Sequence, residues 1–187
     1  MASLPFSILS LYDSPLLQRK ASEMYIKETF PKKNILKPTT KGLANKKIRL
    51  GYYSADFYNH AMSYLLAKLF ELHDKSKFEI IAFSFSPERD DEMSKRISNA
   101  FDQFIKVNFK TDKEISELSR ELKIDIAIDL MCFTTNSRTG IFSEKCAPIQ
   151  INYLGYPGTS GANFIDYIIA DKNLIPKENQ KYYSENI

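Results

Sequence analysis

A carboxylate and an imidazole four residues apart, Asp56 and His60, stand in the run Ser54-Ala-Asp-Phe-Tyr-Asn-His60 just past a β-leaning segment. In a tight loop such a pair can share a hydrogen bond, so Asp56 can orient the ring or accept a proton. The run leads into a helix, and a helix amino terminus favours anions, which places Asn59 and His60 where a phosphate could sit. The plain alternative is that Asp56 and Asn59 cap the helix and His60 is a partly buried first-turn residue, and spacing alone favours it. A second group, Asp125 and Asp129 with Thr134, Thr135 and Arg138, surrounds the end of the string IDIAIDL. Here too the plainer reading, a solvated strand end in which Asp129 caps the following turn, is the stronger. The third is a loop. Three of the six glycines, Gly155, Gly158 and Gly161, fall in one seven-residue window together with Pro157 and Thr159. A turn between strands accounts for one or two of them; three point to close approach by a ligand.

The elements that must position these residues alternate. Ser14-Pro15 is a helix start, and Leu17, Ala21, Met24 and Tyr25 form its apolar stripe up to Pro31. Residues 31–47 are basic and broken by Pro and Gly, so 1–46 reads as an N-terminal helix and linker and 47–187 as the main domain. Strands are predicted at Ile48–Ser54, Phe78–Phe85, Phe104–Val107, Ile124–Leu130, Ala147–Leu154 and Tyr167–Ala170. Between them lie helical patterns at Ala61–Leu72, Asp90–Ala100, Asp112–Leu122 and, shorter, Thr139–Glu144; Pro176 opens a last helix. Strands separated by helices of this length make right-handed βαβ units: an α/β fold, a Rossmann-like parallel sheet with helices on both faces. Ligands dock beyond the carboxyl ends of such strands, where all three candidate groups fall, so they form one site. The first strand is followed by Gly51-Tyr-Tyr-Ser-Ala-Asp56 rather than GxGxxG, which argues against a nicotinamide enzyme.

Composition removes other classes. The 187 residues carry a net charge of only +3, with lysines scattered rather than gathered on one face, so nucleic acid is not expected as a partner. No apolar run approaches ~20 residues, which leaves no membrane span. No signal peptide is visible at the start, so the expected location is cytoplasmic. Cys132 and Cys146 are too few and too far apart for a metal knuckle, and His60 and His73 lie thirteen residues apart; no metal is expected.

The strings KKIRLGYYSADFYNHAMSYLL, FEIIAFSFSP, DIAIDLMCFTTNSRTGIF and, above all, APIQINYLGYPGTSGANFIDYIIAD resemble the catalytic region of the SPINDLY-type O-linked N-acetylglucosamine transferases in their bacterial form, from about residue 5 to the end. The resemblance implies a GT-B architecture, two Rossmann-like domains across a cleft, of which this would be the N-terminal half. It implies inverting transfer of N-acetylglucosamine from UDP-GlcNAc, the donor substrate, to Ser or Thr hydroxyls of protein acceptors, with no metal and no cofactor. Carried over by position, His60 resembles the donor-contacting imidazole, Asp56 the carboxylate that helps move the acceptor's proton, and Leu154 and Gly155 the backbone contacts to the sugar. Asn59, Thr134, Tyr156, Pro157, Gly158 and Thr159 complete the expected substrate-binding set.

Departures from the pattern are equally specific. Leu4-Pro5-Phe6-Ser7 carries no histidine where animal-type members have one. Ala61-Met62 follow His60 in place of Pro-Thr, Cys132 stands for a glycine, and Lys145-Cys146 for Arg-Pro. The uridine-binding half of the family lies beyond the resemblance. The expectation is therefore part of a protein O-GlcNAc transferase, inactive alone and complemented by a separate chain with the UDP-binding domain. The competing reading is a non-catalytic remnant or interaction module.

Overall fold

From Leu50 to Ser54 every residue of the first strand is buried, a continuous run with no polar face. A strand can be this apolar only when both faces of its sheet are covered, the hallmark of parallel α/β sheets. The computed structural model describes residues 4–31 and 46–187, so most of the expected linker lies outside the described residues. In chain order the elements are α1 (Phe6–Leu11), α2 (Pro15–Thr29), β1 (Ile48–Ser54), α3 (Ala61–Glu71), β2 (Phe78–Ser84), α4 (Glu92–Ala100) and β3 (Gln103–Lys106). They continue as α5 (Asp112–Glu121), β4 (Ile126–Asp129), α6 (Gly140–Ser143), β5 (Ile149–Tyr153), β6 (Tyr167–Ile169) and a 3₁₀ helix at Lys177–Tyr182. Three details differ from expectation. Helix α2 buries Ser22 and Ile26, while Leu17 and Met24 of the expected stripe are exposed, because it docks on the Gly161 loop through the face of Ser22 and Ile26. The short helix α1 has no strong periodic signal of its own, and the element after Pro176 is a 3₁₀ helix rather than an α-helix.

All six strands are parallel, in the order β3-β2-β1-β4-β5-β6. The chain thus winds outward from β1 in one direction, returns, and winds outward in the other. On one face of the sheet Leu50, Tyr52 and Ile80 pack with Leu66 and Phe70 of α3 and Ile97 of α4. On the other, Tyr53 and Phe83 stack at 4.5 Å between ring centres and pack with Ile115 of α5 and Phe142 of α6. The Tyr53 hydroxyl finds Ser119 Oγ at 2.6 Å, which satisfies its one polar atom inside that core.

Local chemistry sets the helix starts. Ser14 accepts from the Leu17 N–H, Asp91 from that of Ser94, and Thr111 and Glu114 form a reciprocal capping box on α5. The N-terminal helices share the main core: Ile26 of α2 belongs to the cluster of Tyr53 and Phe142, with Tyr25 edge-on to Phe133 at 5.2 Å. Gly161 lets this happen. Its φ is +65°, and a Cβ there would sit 2.6 Å from the Glu23 backbone nitrogen of α2.

Replacing Gly161 with alanine therefore combines a left-handed backbone with a backbone clash. Gly161→Ala is expected to lower the unfolding free energy by about 2 kcal/mol or more in urea denaturation; a change within about 0.5 kcal/mol, the size of a neutral surface substitution, would show that α2 does not dock on this loop.

Candidate functional site

In a doubly wound sheet the crevice opens where the strand order reverses, here between β1 and β4. A cavity of about 320 Å³ lies there, walled by residues that follow β1, β4 and β5: Asp56 and His60, then Leu130 and Thr134, then Gly155.

The first wall is built from the end of β1. Ser54 Oγ accepts the Asp56 N–H at 2.9 Å, and the Asp56 carbonyl accepts from Ser63 Oγ at 2.6 Å, so the backbone of Asp56 is fixed by strand and helix together. Its carboxylate is largely enclosed, and burial raises its pKa above the ordinary aspartate range, opposed by the charge of His60. His60 is the N-cap of α3: its Nδ1 accepts the Met62 N–H at 3.3 Å. An accepting Nδ1 puts the neutral ring's proton on Nε2, so His60 offers the cavity a donor. Asp56 Oδ2 stands 3.6 Å from Nδ1, too far for a hydrogen bond. The helix, not the carboxylate, orients this imidazole.

The second wall follows β4. Asp129 Oδ1 accepts from the Met131 and Cys132 N–H groups at 2.9 and 3.1 Å and turns the chain so that Thr134 reaches the cavity. It is a cap, as its residue type predicts, but a buried one rather than a solvated strand end, at 3% exposure. Burial pushes its pKa up to about 6, against the pull of those two N–H groups. Cys132 takes φ +51°, a left-handed conformation that a glycine would adopt freely. The Thr134 hydroxyl is buried and has no hydrogen-bond partner. Thr134 as a residue lines the cavity, while its hydroxyl oxygen is itself closed off from it.

The third wall is the end of β5. The Gly155 N–H bonds back to the Tyr153 carbonyl at 2.9 Å, closing a three-residue turn around Leu154, whose φ is +69°. This is the strained form of the γ-turn. It can persist because Gly155 lies against β4: a Cβ there would be 2.0 Å from the Leu130 carbonyl oxygen.

Five of the sequence-predicted residues, Asp56, His60, Thr134, Thr135 and Gly155, thus line one cavity, with Leu154 at the adjoining bend. The rest go elsewhere. Asn59 is exposed, its N–H on Asp91 at 3.1 Å. Tyr156 is fully buried beside Phe133, and Gly158 lies against Gln18 and the Tyr156 hydroxyl. The Pro157 carbonyl accepts from Tyr183 at 2.9 Å, and Thr159 donates to Glu185 at 2.7 Å. Arg138 is held by Asp112 at 2.7 Å, and Asp125 accepts the Arg49 N–H at the opposite end of β4. Sequence reasoning passed over Tyr58, Met62 and Asn136, which also line the cavity. Of these only Asn136 carried a signal, an asparagine in a Thr-Thr-Asn-Ser turn; its φ is +63°. Among the described residues no group of three or more His, Cys, Asp or Glu could hold a metal ion.

Comparison with known proteins bears on the family and the fold. Residues 21–187 match the model of Glycosyl transferase family 41. A probable UDP-N-acetylglucosamine–peptide N-acetylglucosaminyltransferase, SEC, of Arabidopsis thaliana is 34% identical over 142 residues, 76% of this chain and 14% of that protein. The UDP-N-acetylglucosamine–peptide N-acetylglucosaminyltransferase of Caenorhabditis elegans is 32% identical, over 76% of this chain and 12% of its own length. The solved structure of a Thermobaculum terrenum O-GlcNAc transferase mutant, K341M, superposes with a TM-score of 0.87 at 26% identity, covering 97% of this chain and 35% of that one. The chain therefore spans between about an eighth and a third of the length of these proteins.

The unpaired hydroxyl gives a direct test. Thr134→Val keeps the shape and removes a group whose desolvation nothing offsets, so stability in urea is expected to hold or rise by about 1 kcal/mol. A loss greater than about 1 kcal/mol would mean that the hydroxyl has a partner in the folded protein.

Proposed function

The chain belongs to glycosyl transferase family 41, and from that premise we propose that its cavity is the acceptor-side and sugar-facing wall of a protein O-GlcNAc transferase site. One observation carries the reading: Asp56 and His60 share a single cavity at the strand reversal with Thr134 and Gly155, beside the Leu154 bend. A cavity of about 320 Å³ is at the small end of ligand sites, the size for a sugar rather than for a whole nucleotide sugar. The nucleotide is then held mainly by protein outside the described residues, in this polypeptide or in a separate one.

In this reading the acceptor Ser or Thr hydroxyl attacks C1 of N-acetylglucosamine from the face opposite the leaving UDP, with inversion. Its proton passes to Asp56. Burial favours that role, since a carboxylate whose pKa is raised toward the working pH is a better proton acceptor. His60, with Nδ1 engaged by α3, donates from Nε2 to an oxygen of the donor. Thr134 and the backbone at Leu154–Gly155 position the sugar. In this reading UDP-GlcNAc is the donor substrate and no metal or cofactor takes part, as the family resemblance implies; one imidazole and one carboxylate in these walls are too few to hold a divalent ion by themselves. Both cysteines are free and buried, as suits a reducing compartment, and we place the protein in the cytoplasm. Among the described residues no helix is long and apolar enough to cross a membrane.

Titration of the 187-residue chain with UDP-GlcNAc, followed by backbone amide NMR, tests the reading. Saturable shifts are expected at residues 56–62, 130–136 and 154–155, with an affinity no tighter than about millimolar, roughly −4 kcal/mol. Shifts confined to other surfaces, or none at all, would overturn the proposal and return the chain to the reading of a non-catalytic interaction module.

A further inference from the structure

Two buried polar side chains lie next to each other beneath the cavity, and neither has all its hydrogen bonds. Asp129 ends β4 and Asn152 lies in β5; they are register partners, so their side chains leave the sheet on the same face. Both are buried, at 3% and 0% exposure. Each also holds one of the loops that wall the cavity. Asp129 Oδ1 holds the Met131 and Cys132 N–H groups ahead of Thr134, while Asn152 Nδ2 donates to the Tyr156 carbonyl at 3.2 Å, just beyond Gly155. What remains is complementary. Asn152 Oδ1 is buried without a partner, and among the described residues the second carboxyl oxygen of Asp129 makes no hydrogen bond. An amide oxygen can only accept. Turned toward each other, two such acceptors on neighbouring strands would repel, whereas a proton on Asp129 Oδ2 would satisfy both atoms at once.

We propose that Asp129 and Asn152 form one positioning unit, in which the carboxyl proton of Asp129 is donated to the Asn152 amide oxygen and ties the Thr134 loop to the Gly155 loop. The unit touches no ligand and stands whatever sugar or acceptor the cavity takes. Its surroundings favour the neutral acid. The titratable groups that face Asp129 are the thiols of Cys132, in its own loop, and Cys146, ahead of β5. Both are fully buried, and burial pushes the Cys146 thiol up to about 12 and that of Cys132 well above its ordinary value, so neither supplies a charge. Glu185 acts on the Cys132 thiol, which it pushes up further. No lysine or arginine contributes to the ionisation of Asp129.

Holding the proton has a defined consequence for stability. The folded-state pKa of Asp129 is raised to about 6 from an ordinary 3.8. A raised value means that the group's contribution is complete below the unfolded value and is lost as pH climbs through the folded one. Asp129→Asn mimics the protonated acid: its amide oxygen can hold the two N–H groups and its NH₂ can donate to Asn152.

Infrared spectroscopy of the purified chain reads the proton directly. A protonated-carboxyl stretch is expected at pH 5, fading with a midpoint near pH 6 and absent from Asp129→Asn. Asn152→Ala should move that stretch to the frequency of a weaker hydrogen bond. It should also speed amide exchange at Met131 and Cys132 at least about tenfold, the equivalent of about 1.4 kcal/mol. Between pH 4 and 7 the wild-type melting temperature should fall relative to Asp129→Asn by about 3 °C or more. No carboxyl stretch at pH 5 in the wild-type chain would overturn the proposal even if a variant failed to fold. So would a stretch that Asn152→Ala leaves in place, or melting curves of wild type and Asp129→Asn that run parallel across this range.

Discussion

The pairing of β1 with β4 is the contact on which the rest depends. Four register pairs, Leu50 with Ile126 through Tyr53 with Asp129, join two strands separated by more than seventy residues. That pairing makes the sheet reverse its winding, and the reversal sends the following connections to opposite faces. The gap between them is the cavity. Asp56 and His60 reach it because they follow β1, and Thr134 reaches it because it follows β4. No loop has to fold over the sheet to create the site; the topology leaves it open.

Each wall is then stiffened by a device that costs local strain or desolvation. His60 gives up one ring nitrogen to start α3, and the neutral ring thereby presents the other as its N–H. Asp129 is taken out of water to turn the chain toward Thr134. Leu154 accepts a left-handed backbone because Gly155 has no side chain to separate β5 from β4. Strained residues persist where the surrounding structure over-determines them, and three of the five non-glycine residues with a left-handed backbone among the described residues, Cys132, Asn136 and Leu154, lie in the loops that wall the cavity. That concentration is what distinguishes the crevice from the other surfaces of the fold.

The glycine loop illustrates how a sequence signal can be real and serve two purposes. Gly155 belongs to the cavity wall, but Gly158 and Gly161 admit Gln18 and the backbone of α2. Thr159 and Ser160 are held by Glu185, which receives both hydroxyls and the Ser160 N–H. The loop is therefore a junction among β5, the N-terminal helices and the C-terminal segment. Its packing side is larger than its cavity side.

Most of the architecture was legible in the sequence because helical and strand periodicities are local. The apolar spacing over Ala61–Leu72 reads as a helix, although the face it buries is Ser63, Leu66, Ala67 and Phe70 while Leu65 and Leu69 stay exposed. The string IRLGYYS reads as a strand buried on both faces. Alternation of the two then determined a parallel sheet and placed three groups of polar residues along one edge. The short helix α1 was not legible, since six residues carry too little periodicity, and neither was the 3₁₀ form after Pro176. What the tertiary structure alone decided was direction. Arg138 and Thr134 are equally polar and four residues apart, yet one clamps Asp112 and the other faces the cavity. Thr159 turns away because a carboxylate twenty-six residues later is there to meet it. By itself the sequence determined which elements form, in what order, and at which end of the sheet chemistry could occur. Only the folded chain decided which side chains at that end face the crevice, because outside regular elements a side chain points wherever its distant neighbours leave room and a partner.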